Sequence, residues 1–209
     1  MDKEKIDRLD EKVKEYFDYE AETYDKNRIA QFSRDLGRYM LNTVTNLEFE
    51  TILDVGCGTG KLLYDIIDVK PQVMACAIDF SPRMIEIAHR RLSKKVDVRL
   101  SDFRNMSKWC NTKSFDIVIA NDILRYVSEP QRLAEEVYRV LKLDGRFVIC
   151  DAAPGNTLKG LKTMISRDVA QRPMAAVDIK SVLSEAGFNM VSYTKVENGI
   201  CLITAYKRS

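Results

Sequence analysis

From Thr51 to the end of the chain, short apolar runs alternate with longer stretches in which apolar residues recur every three or four positions. The short runs predict buried β-strands and the longer stretches predict amphipathic helices, because the two elements have different side-chain periods. The predicted strands are TILDV, VMACAID, VDVRLSD, FDIVIAN, RFVICDA, MVSYTKV and ICLITAYK. The predicted helices between them are GKLLYDIID, SPRMIEIAHRRL, EPQRLAEEVYRVLKLDG and DIKSVLSEAGF.

This alternation predicts the α/β fold class. Nearly all-apolar strands separated by helices form a mostly parallel sheet, and the helices cover both of its faces. The last two strands are an exception, because the turn at Glu197, Asn198 and Gly199 is too short for a parallel connection. We therefore predict a doubly wound sheet of seven strands that is mostly parallel, with one antiparallel strand near the C-terminus.

The residues before this pattern predict a separate N-terminal helical cap over positions 1–46. The apolar residues of its first helix recur at intervals of three and four and are Ile6, Leu9, Val13 and Phe17. The polar face of that helix is more acidic than basic, whereas a helix lying on a membrane surface is usually basic. We expect the cap to pack on a main domain formed by residues 47–209.

Composition and charge favour an ordinary protein of the cytoplasm. The 209 residues include 33 basic and 31 acidic side chains, and the formal net charge is +2. Proteins that bind nucleic acid usually carry a basic stripe, so no nucleic-acid partner is expected. No apolar run reaches the length of a membrane span, and the charged N-terminus lacks the apolar centre of a signal peptide. The five scattered cysteines form no CxxC pair, which predicts reduced thiols and no metal site.

A glycine-rich turn follows the first predicted strand, where Gly56, Gly58 and Gly60 alternate with other residues. The dinucleotide fingerprint GxGxxG would need glycine at position 61, which is occupied by Lys61. The phosphate-binding P-loop would need serine or threonine after that lysine, and the residue there is Leu62. Both of these nucleotide-binding motifs therefore fail on spacing.

Two carboxylates accompany the glycine turn. Asp54 precedes it, and Asp79 ends the second predicted strand. A carboxylate at the second position can accept hydrogen bonds from both hydroxyls of a ribose, and it would repel a 2′-phosphate. In sheets of this kind, ligands bind beyond the carboxyl ends of the strands, so the turn and Asp79 predict a nucleoside site.

At this point the chain resembles class I S-adenosylmethionine-dependent methyltransferases. The likeness covers about Thr51 to Asp151 and is carried by TILDVGCGTGKL, AIDFSPRMIEIAHRRL, RLSDF, FDIVIANDILRYV and EEVYRVLKLDGRFVI. The opening segment YFDYEAETYD is similar to that of the small-molecule branch that includes the ubiquinone and menaquinone C-methyltransferases. The resemblance implies a Rossmann-like form of the predicted sheet and an S-adenosylmethionine-binding methyltransferase domain over residues 47–209.

The resemblance also implies a part of the cofactor for each predicted site residue. These parts are the methionine half for Gly56, Cys57, Gly58 and Gly60, the ammonium group for Asp54, the ribose for Asp79, the adenine for Phe80, Met84, Asp102 and Phe103, and the sulfonium for Asn121 and Asp122. Phe80 and Met84 fit ordinary core positions as well, and no thiol chemistry is expected of Cys57.

A general base is harder to predict, because His89 is the single histidine and is expected on a solvated helix face. A base would then be a carboxylate, a tyrosine or water. Asp122 is the best-placed catalytic candidate by motif, and Tyr24, Tyr19 and Tyr126 are weaker candidates. Arg125 could pair with an acidic group of the acceptor or could be a surface residue, and the sequence leaves this open.

These patterns predict an enzyme that transfers a methyl group from S-adenosylmethionine to a small molecule by in-line displacement. An RNA or protein methyltransferase and a non-catalytic cofactor-binding module remain as alternatives. The sequence predicts a monomer or homodimer, and it identifies neither the acceptor nor the atom that is methylated. Whether residues 152–177 form a lid also stays open.

Overall fold

The structure is a computed structural model, and it describes residues 2–26, 28–92, 94, 96–153, 176–196 and 199–208. The helices are α1 Lys3–Glu20, α2 Arg28–Thr45, α3 Lys61–Val69, α4 Pro82–Arg91, α5 Pro130–Val140 and α6 Ala176–Glu185. The strands are β1 Thr51–Val55, β2 Met74–Asp79, β3 Asp97–Leu100, β4 Phe115–Asn121, β5 Leu141–Ala152, β6 Met190–Lys195 and β7 Ile200–Tyr206. Short 3-10 helices are η1 Tyr24–Lys26, η2 Phe103–Lys108 and η3 Leu124–Tyr126.

The strands form one sheet in the order β3-β2-β1-β4-β5-β7-β6. β1 lies between β2 and β4 and is parallel to both, so the chain winds outward in both directions from this centre. β7 runs antiparallel to both of its neighbours, β5 and β6. The predicted fold, a doubly wound and mostly parallel sheet with one reversed strand near the C-terminus, is confirmed. Two residues of the predicted turn, 197 and 198, lie outside the described residues, as does most of the 152–177 segment.

Alternate residues of the central strands bury their side chains on opposite faces of the sheet. Ile52 and Ile117 belong to a core beneath α2, α3 and α4, whereas the adjacent Leu53 and Val118 belong to a core beneath α5 and α6. All four side chains are almost completely buried. This two-sided burial explains why the strands are apolar along nearly their whole length.

The helices of the first 46 residues pack differently from each other. α2 contributes Leu36, Met40 and Val44, all fully buried, to the core on one face of the sheet. α1 contributes Val13 to a small cluster that includes Phe17 and Tyr126. A division of the chain into a cap over 1–46 and a domain over 47–209 stays a prediction. No helix in the described part of the chain is long and apolar enough to cross a lipid bilayer.

Local sequence signals set some element ends but not all. α4 begins as expected, with the Ser81 hydroxyl accepting a hydrogen bond from the Met84 amide at 3.1 Å. The helix predicted to continue to residue 145 instead ends at Val140, and β5 begins at Leu141. Leu141 is in register with Phe115 of the neighbouring strand. Strand pairing therefore overrides the helical spacing of the last apolar residues.

Candidate active site

Two clefts flank the glycine turn at the carboxyl ends of β1 and β4, where the strand order reverses. The main cleft encloses about 800 Å³ and the rear cleft about 910 Å³, open mouths included. The predicted site residues that line the main cleft are Tyr24, Gly56, Gly58, Asp79, Phe80, Met84, Asp102, Phe103, Asn121 and Asp122. Those that line the rear cleft are Tyr24, Asp54, Gly56, Cys57, Gly58 and Asn121. Such volumes suit a small molecule, since ligand sites span about 300–1,000 Å³.

Two glycines of the turn, Gly56 and Gly60, are required by both conformation and space. Gly56 has φ of 74°, and a Cβ atom added to it would lie 2.7 Å from Cγ2 of Ile123. Gly60 has φ of 75°, and its Cβ would lie 2.9 Å from Cδ1 of Leu92 on the α4 side. Gly60 lines neither cleft and instead lets the turn pack closely against α4. The turn thus brings backbone, and not side chains, to the cleft wall.

Asp79 ties the glycine turn to the end of β2. Its Oδ2 accepts a hydrogen bond from the Gly58 amide at 2.8 Å, and its Oδ1 accepts one from the Ser81 amide at 2.9 Å. Burial raises the pKa of this carboxyl to about 6, against the lowering effect of the amides. Each carboxylate oxygen has a second acceptor site, so Asp79 can still bind hydroxyl groups in the main cleft.

Two buried acceptors between the clefts have no partner among the described residues. Asp54 is 2% exposed and receives no hydrogen bond there, and burial followed by repulsion from Asp79 raises its pKa to about 7. The Oδ1 atom of Asn121 is buried and also unpaired within the described part of the chain. Buried polar groups are normally paired, so Asp54 and Asn121 leave acceptors free for a hydrogen-bond donor of a ligand in the rear cleft.

The part of the main cleft around Met84 and Asp102 is lined by core side chains and by an ion-pair cluster. Met84 is 1% exposed and so is both a core residue and part of the cleft wall. The Asp102 carboxylate is held by Arg104, with its Oδ1 2.9 Å from Nε and its Oδ2 2.5 Å from Nη2. Arg104 also pairs with Asp10 at 2.7 Å and Glu129 at 3.0 Å. Sequence reasoning missed Arg104, whose partners come from α1, η2 and the start of α5.

The two catalytic candidates, Asp122 and Tyr24, both line the main cleft. Asp122 has φ of 60°, is 6% exposed, and accepts hydrogen bonds from Arg125 at 2.5 Å and from the Ser33 hydroxyl at 2.7 Å. Burial raises the pKa of Asp122 to about 6, although Arg125 opposes this. The Tyr24 hydroxyl lies 3.1 Å from the Ser33 hydroxyl. Burial raises the pKa of Tyr24 well above its ordinary value.

The Arg125 side chain is buried, and its ion-pair partners are carboxylates of the protein itself. It is 6% exposed and forms a second ion pair with Asp151, 3.2 Å away, while its guanidinium packs over the rings of Phe32 and Tyr126. Both alternatives left open by the sequence are therefore replaced by a structural role. A usable signal existed, because Asp151 follows the apolar run of β5 just as Asp122 follows that of β4.

Contacts from the N-terminal residues also escaped sequence reasoning. The Asp25 carboxylate accepts hydrogen bonds from the Thr59 hydroxyl at 2.8 Å and from Arg91 at 2.5 Å, which joins η1 to the glycine turn and α4. Asp18 accepts one from the Ser81 hydroxyl at 2.5 Å. Both aspartates belong to the segment YFDYEAETYD. The sequence therefore marks the two residues, but it does not show that they contact the glycine turn and α4. His89 is exposed, as the sequence predicts.

Comparison with known proteins identifies this arrangement. A family described as a methyltransferase domain matches residues 48–198. The chain belongs to this methyltransferase family. It is 32% identical over 150 residues to a demethylmenaquinone methyltransferase of Symbiobacterium thermophilum, with 68% of this chain and 59% of that protein covered. It is 30% identical over 148 residues to a malonyl-[acyl-carrier protein] O-methyltransferase of Hahella chejuensis, with 70% of this chain and 51% of that protein covered.

The fold of this chain is also that of solved structures. A SAM-dependent methyltransferase from Archaeoglobus fulgidus superposes with a TM-score of 0.70 at 18% identity, covering 92% of this chain and 99% of that one. The chain spans about three fifths or less of the length of the two curated relatives named above. The family match confirms the predicted family and its cofactor class, S-adenosylmethionine.

The residues of the two clefts fit this cofactor. S-adenosylmethionine carries an ammonium group, two ribose hydroxyls and an adenine ring. Asp54 and the Oδ1 atom of Asn121 offer hydrogen-bond acceptors without a partner to the ammonium group. Asp79 offers its remaining acceptor positions to the ribose hydroxyls. Burial also raises the pKa of the Cys57 thiol well above its ordinary value, which keeps this residue of the turn a neutral thiol.

Proposed function

We propose that this chain transfers a methyl group from S-adenosylmethionine to a small-molecule acceptor. The observation that carries the proposal is the pair of buried carboxylates on either side of the glycine turn. Asp54 faces the rear cleft without a partner, and Asp79 lines the main cleft. Two such groups favour a ligand that has a cation at one end, for the carboxylate without a partner, and hydroxyl donors further along, for the remaining acceptor positions of Asp79.

In this proposal each end of the cofactor has its own residues. Asp54 and Asn121 hold the ammonium group, and the backbone of Gly56, Cys57 and Gly58 passes beside the methionine half, while Gly60 packs the turn against α4. Asp79 holds the ribose, and the adenine lies among Phe80, Met84, Asp102 and Phe103. The bound cofactor supplies a methyl group on a positively charged sulfur, which is already a good leaving group. A cation at Asp54 would also keep that carboxylate ionised.

The protein's own contribution is alignment and the exclusion of water. Phe17, Tyr24 and Tyr126 line the main cleft beside Asp122, and the ring centroids of Phe17 and Tyr126 are 4.9 Å apart. An acceptor held between such rings and the cofactor is brought close to the reacting centre in one orientation. Proximity of this kind accounts for a large share of the rate enhancement when the leaving group needs no further activation.

Asp122 and Tyr24 are the proposed catalytic residues. With its pKa at about 6, Asp122 is largely ionised at neutral pH and can accept the proton that an acceptor loses on methylation. Tyr24 reaches both clefts from the N-terminal residues and places a hydroxyl between them. The protein therefore needs no histidine for this step.

The acceptor class is proposed from the relatives' names and stays broad. The curated relatives are named for demethylmenaquinone, for malonyl groups on acyl-carrier protein and, in a third case, for arsenite. We propose a small-molecule acceptor rather than nucleic acid, a monomer or homodimer, and a cytoplasmic location. The cap over residues 1–46 and the domain over 47–209 belong to the same proposal.

The proposal is tested by transfer of a labelled methyl group. The full chain is incubated with methyl-tritiated S-adenosylmethionine and, separately, with menadiol, a malonyl thioester of N-acetylcysteamine, or arsenite. Label in at least one of these, reduced at least tenfold by Asp79→Ala but not by Thr43→Ala on the outer part of α2, supports the proposal. Label only in added RNA or protein, or equal label with the Asp79 variant, would contradict it.

A further inference from the structure

Ser33 joins the two catalytic candidates, which come from distant parts of the sequence. It lies on α2, and its hydroxyl donates to Oδ2 of Asp122 at 2.7 Å. The same hydroxyl lies 3.1 Å from the Tyr24 hydroxyl on η1. A serine hydroxyl has one proton and two acceptor positions, so it can receive a hydrogen bond from Tyr24 while it donates to Asp122. The three groups therefore form a continuous hydrogen-bonded chain.

Asp122 has no oxygen left without a partner. Its Oδ1 faces the Arg125 guanidinium of η3 at 2.5 Å, and its Oδ2 is used by Ser33. Asp151 of β5 pairs with the same guanidinium at 3.2 Å, which leaves one net negative charge on the three groups. The other titratable groups near Asp122 among the described residues are the hydroxyls of Tyr16, Tyr24 and Tyr126 and the thiol of Cys150, and burial raises the pKa of each of them. A proton reaches Oδ2 most directly along the bond that Ser33 already makes.

Tyr24 differs from the other two members of this hydrogen-bonded series in lining both clefts. It lines both the main and the rear cleft, whereas Ser33 lines only the rear cleft and Asp122 only the main one. Burial and the nearby Asp122 charge raise the pKa of Tyr24 well above its ordinary value. A tyrosinate at this position is therefore unfavourable, and Tyr24 can accept a proton only if it gives its own away in the same step.

We propose that Ser33 is a positioning residue that links Tyr24 to Asp122 and passes the acceptor's proton between them. This rests on the proposed function. The acceptor's bond to hydrogen breaks as its proton moves to the Tyr24 oxygen, the Tyr24 proton moves to Ser33 Oγ, and the Ser33 proton moves to Asp122 Oδ2. Tyr24 and Ser33 end neutral and unchanged, and Asp122 ends as a neutral acid. The acceptor atom would use the electron pair of its broken bond to hydrogen to form the bond to the methyl group. The methyl–sulfur bond of the cofactor would break at the same time, with its electron pair left on a sulfur that becomes neutral.

The link can be tested without any acceptor. The ¹³C resonance of the Asp122 carboxyl, assigned with Asp122→Asn, is followed against pH in labelled full-length protein saturated with S-adenosylhomocysteine. Ser33→Ala removes a hydrogen bond to the ionised form, so the pKa of Asp122 should rise above its wild-type value. Tyr24→Phe should raise it by less, and should have no effect once Ser33→Ala is present. Ser33→Thr keeps the hydroxyl and should behave as wild type, as should Thr43→Ala on the same helix.

Equal effects of Tyr24→Phe on the pKa of Asp122 with and without Ser33 would overturn the link, as would an unchanged pKa of Asp122 in Ser33→Ala.

The proton relay itself is tested by single-turnover rates in mixtures of H₂O and D₂O, with whichever of the three acceptor probes is methylated. For wild type, a plot of the rate against the fraction of D₂O should be curved, because several protons move. For Ser33→Ala, the plot should be linear, and the rate should be about tenfold to a hundredfold lower. A linear wild-type plot would contradict the relay. The titration decides the link even when none of the probes is methylated, so its failure is distinct from that of the proposed function.

Discussion

Replacing Arg125 by methionine removes the cation that forms ion pairs with two buried carboxylates. The side chains of Arg125, Asp122 and Asp151 are 7%, 4% and 6% exposed. Breaking a buried pair of this kind costs about 3–5 kcal/mol of folding free energy, because the remaining charges lose their partner and are not solvated. Part of that cost is avoided by protonation, so the loss should be larger at pH 8 than at pH 5.

The loss is measured by urea unfolding, followed through the fluorescence of Trp109, the chain's single tryptophan. Arg83→Met is the matched control, because its ion pair with Glu86 is 61% and 54% exposed and is worth at most about 1 kcal/mol. Adding Asp122→Asn and Asp151→Asn to Arg125→Met should restore most of the stability, since the uncompensated charges are gone. A loss below about 1 kcal/mol at pH 8, or no recovery in the triple variant, would refute this reasoning.

Other substitutions test separate parts of the site. The pKa of Asp54 is raised to about 7 in the fold from an ordinary value of 3.8, so wild type should lose stability as pH rises between these values. Asp54→Asn should lose less over this range, because only the raised pKa values of Asp79 and Asp122 remain, as measured by denaturation without cofactor. Gly60→Ala should cost about 2 kcal/mol, through its φ of 75° and the contact with Leu92, and an unchanged melting temperature would contradict this. Asp25→Asn should cost about 1 kcal/mol by losing the ion pair with Arg91, and the loss should shrink in 1 M salt.

The features that sequence could predict are those that depend on neighbouring residues. The strands follow from apolar runs, the start of α4 follows from Ser81 and Pro82, and the glycine turn follows from its spacing after β1. Each of these is a local preference that the fold as a whole reinforces, which is why the order of elements and the position of the site were predictable.

The features that sequence could not predict join distant positions. Ser33 and Asp122 are 89 residues apart and Asp25 and Arg91 are 66 apart, and no periodic pattern marks either pair. The place of Arg125 depends on a partner on β5, whose position is known only once the strand order is known. The predicted end of α5 was wrong for a similar reason. Pairing of β5 with β4 outweighed the helical spacing of the last apolar residues in the predicted helix.

The central claim is that Asp54 receives the ammonium group of S-adenosylmethionine. Calorimetric titration of the full chain with this cofactor at pH 7, in two buffers that differ in ionisation enthalpy, tests it directly. A pKa of about 7 in the free protein leaves Asp54 partly protonated, so a bound cation should expel that proton. The account predicts measurable binding with proton release in wild type, and weaker binding without this release in Asp54→Asn. No binding by wild type, or the same proton release from Asp54→Asn, would contradict it.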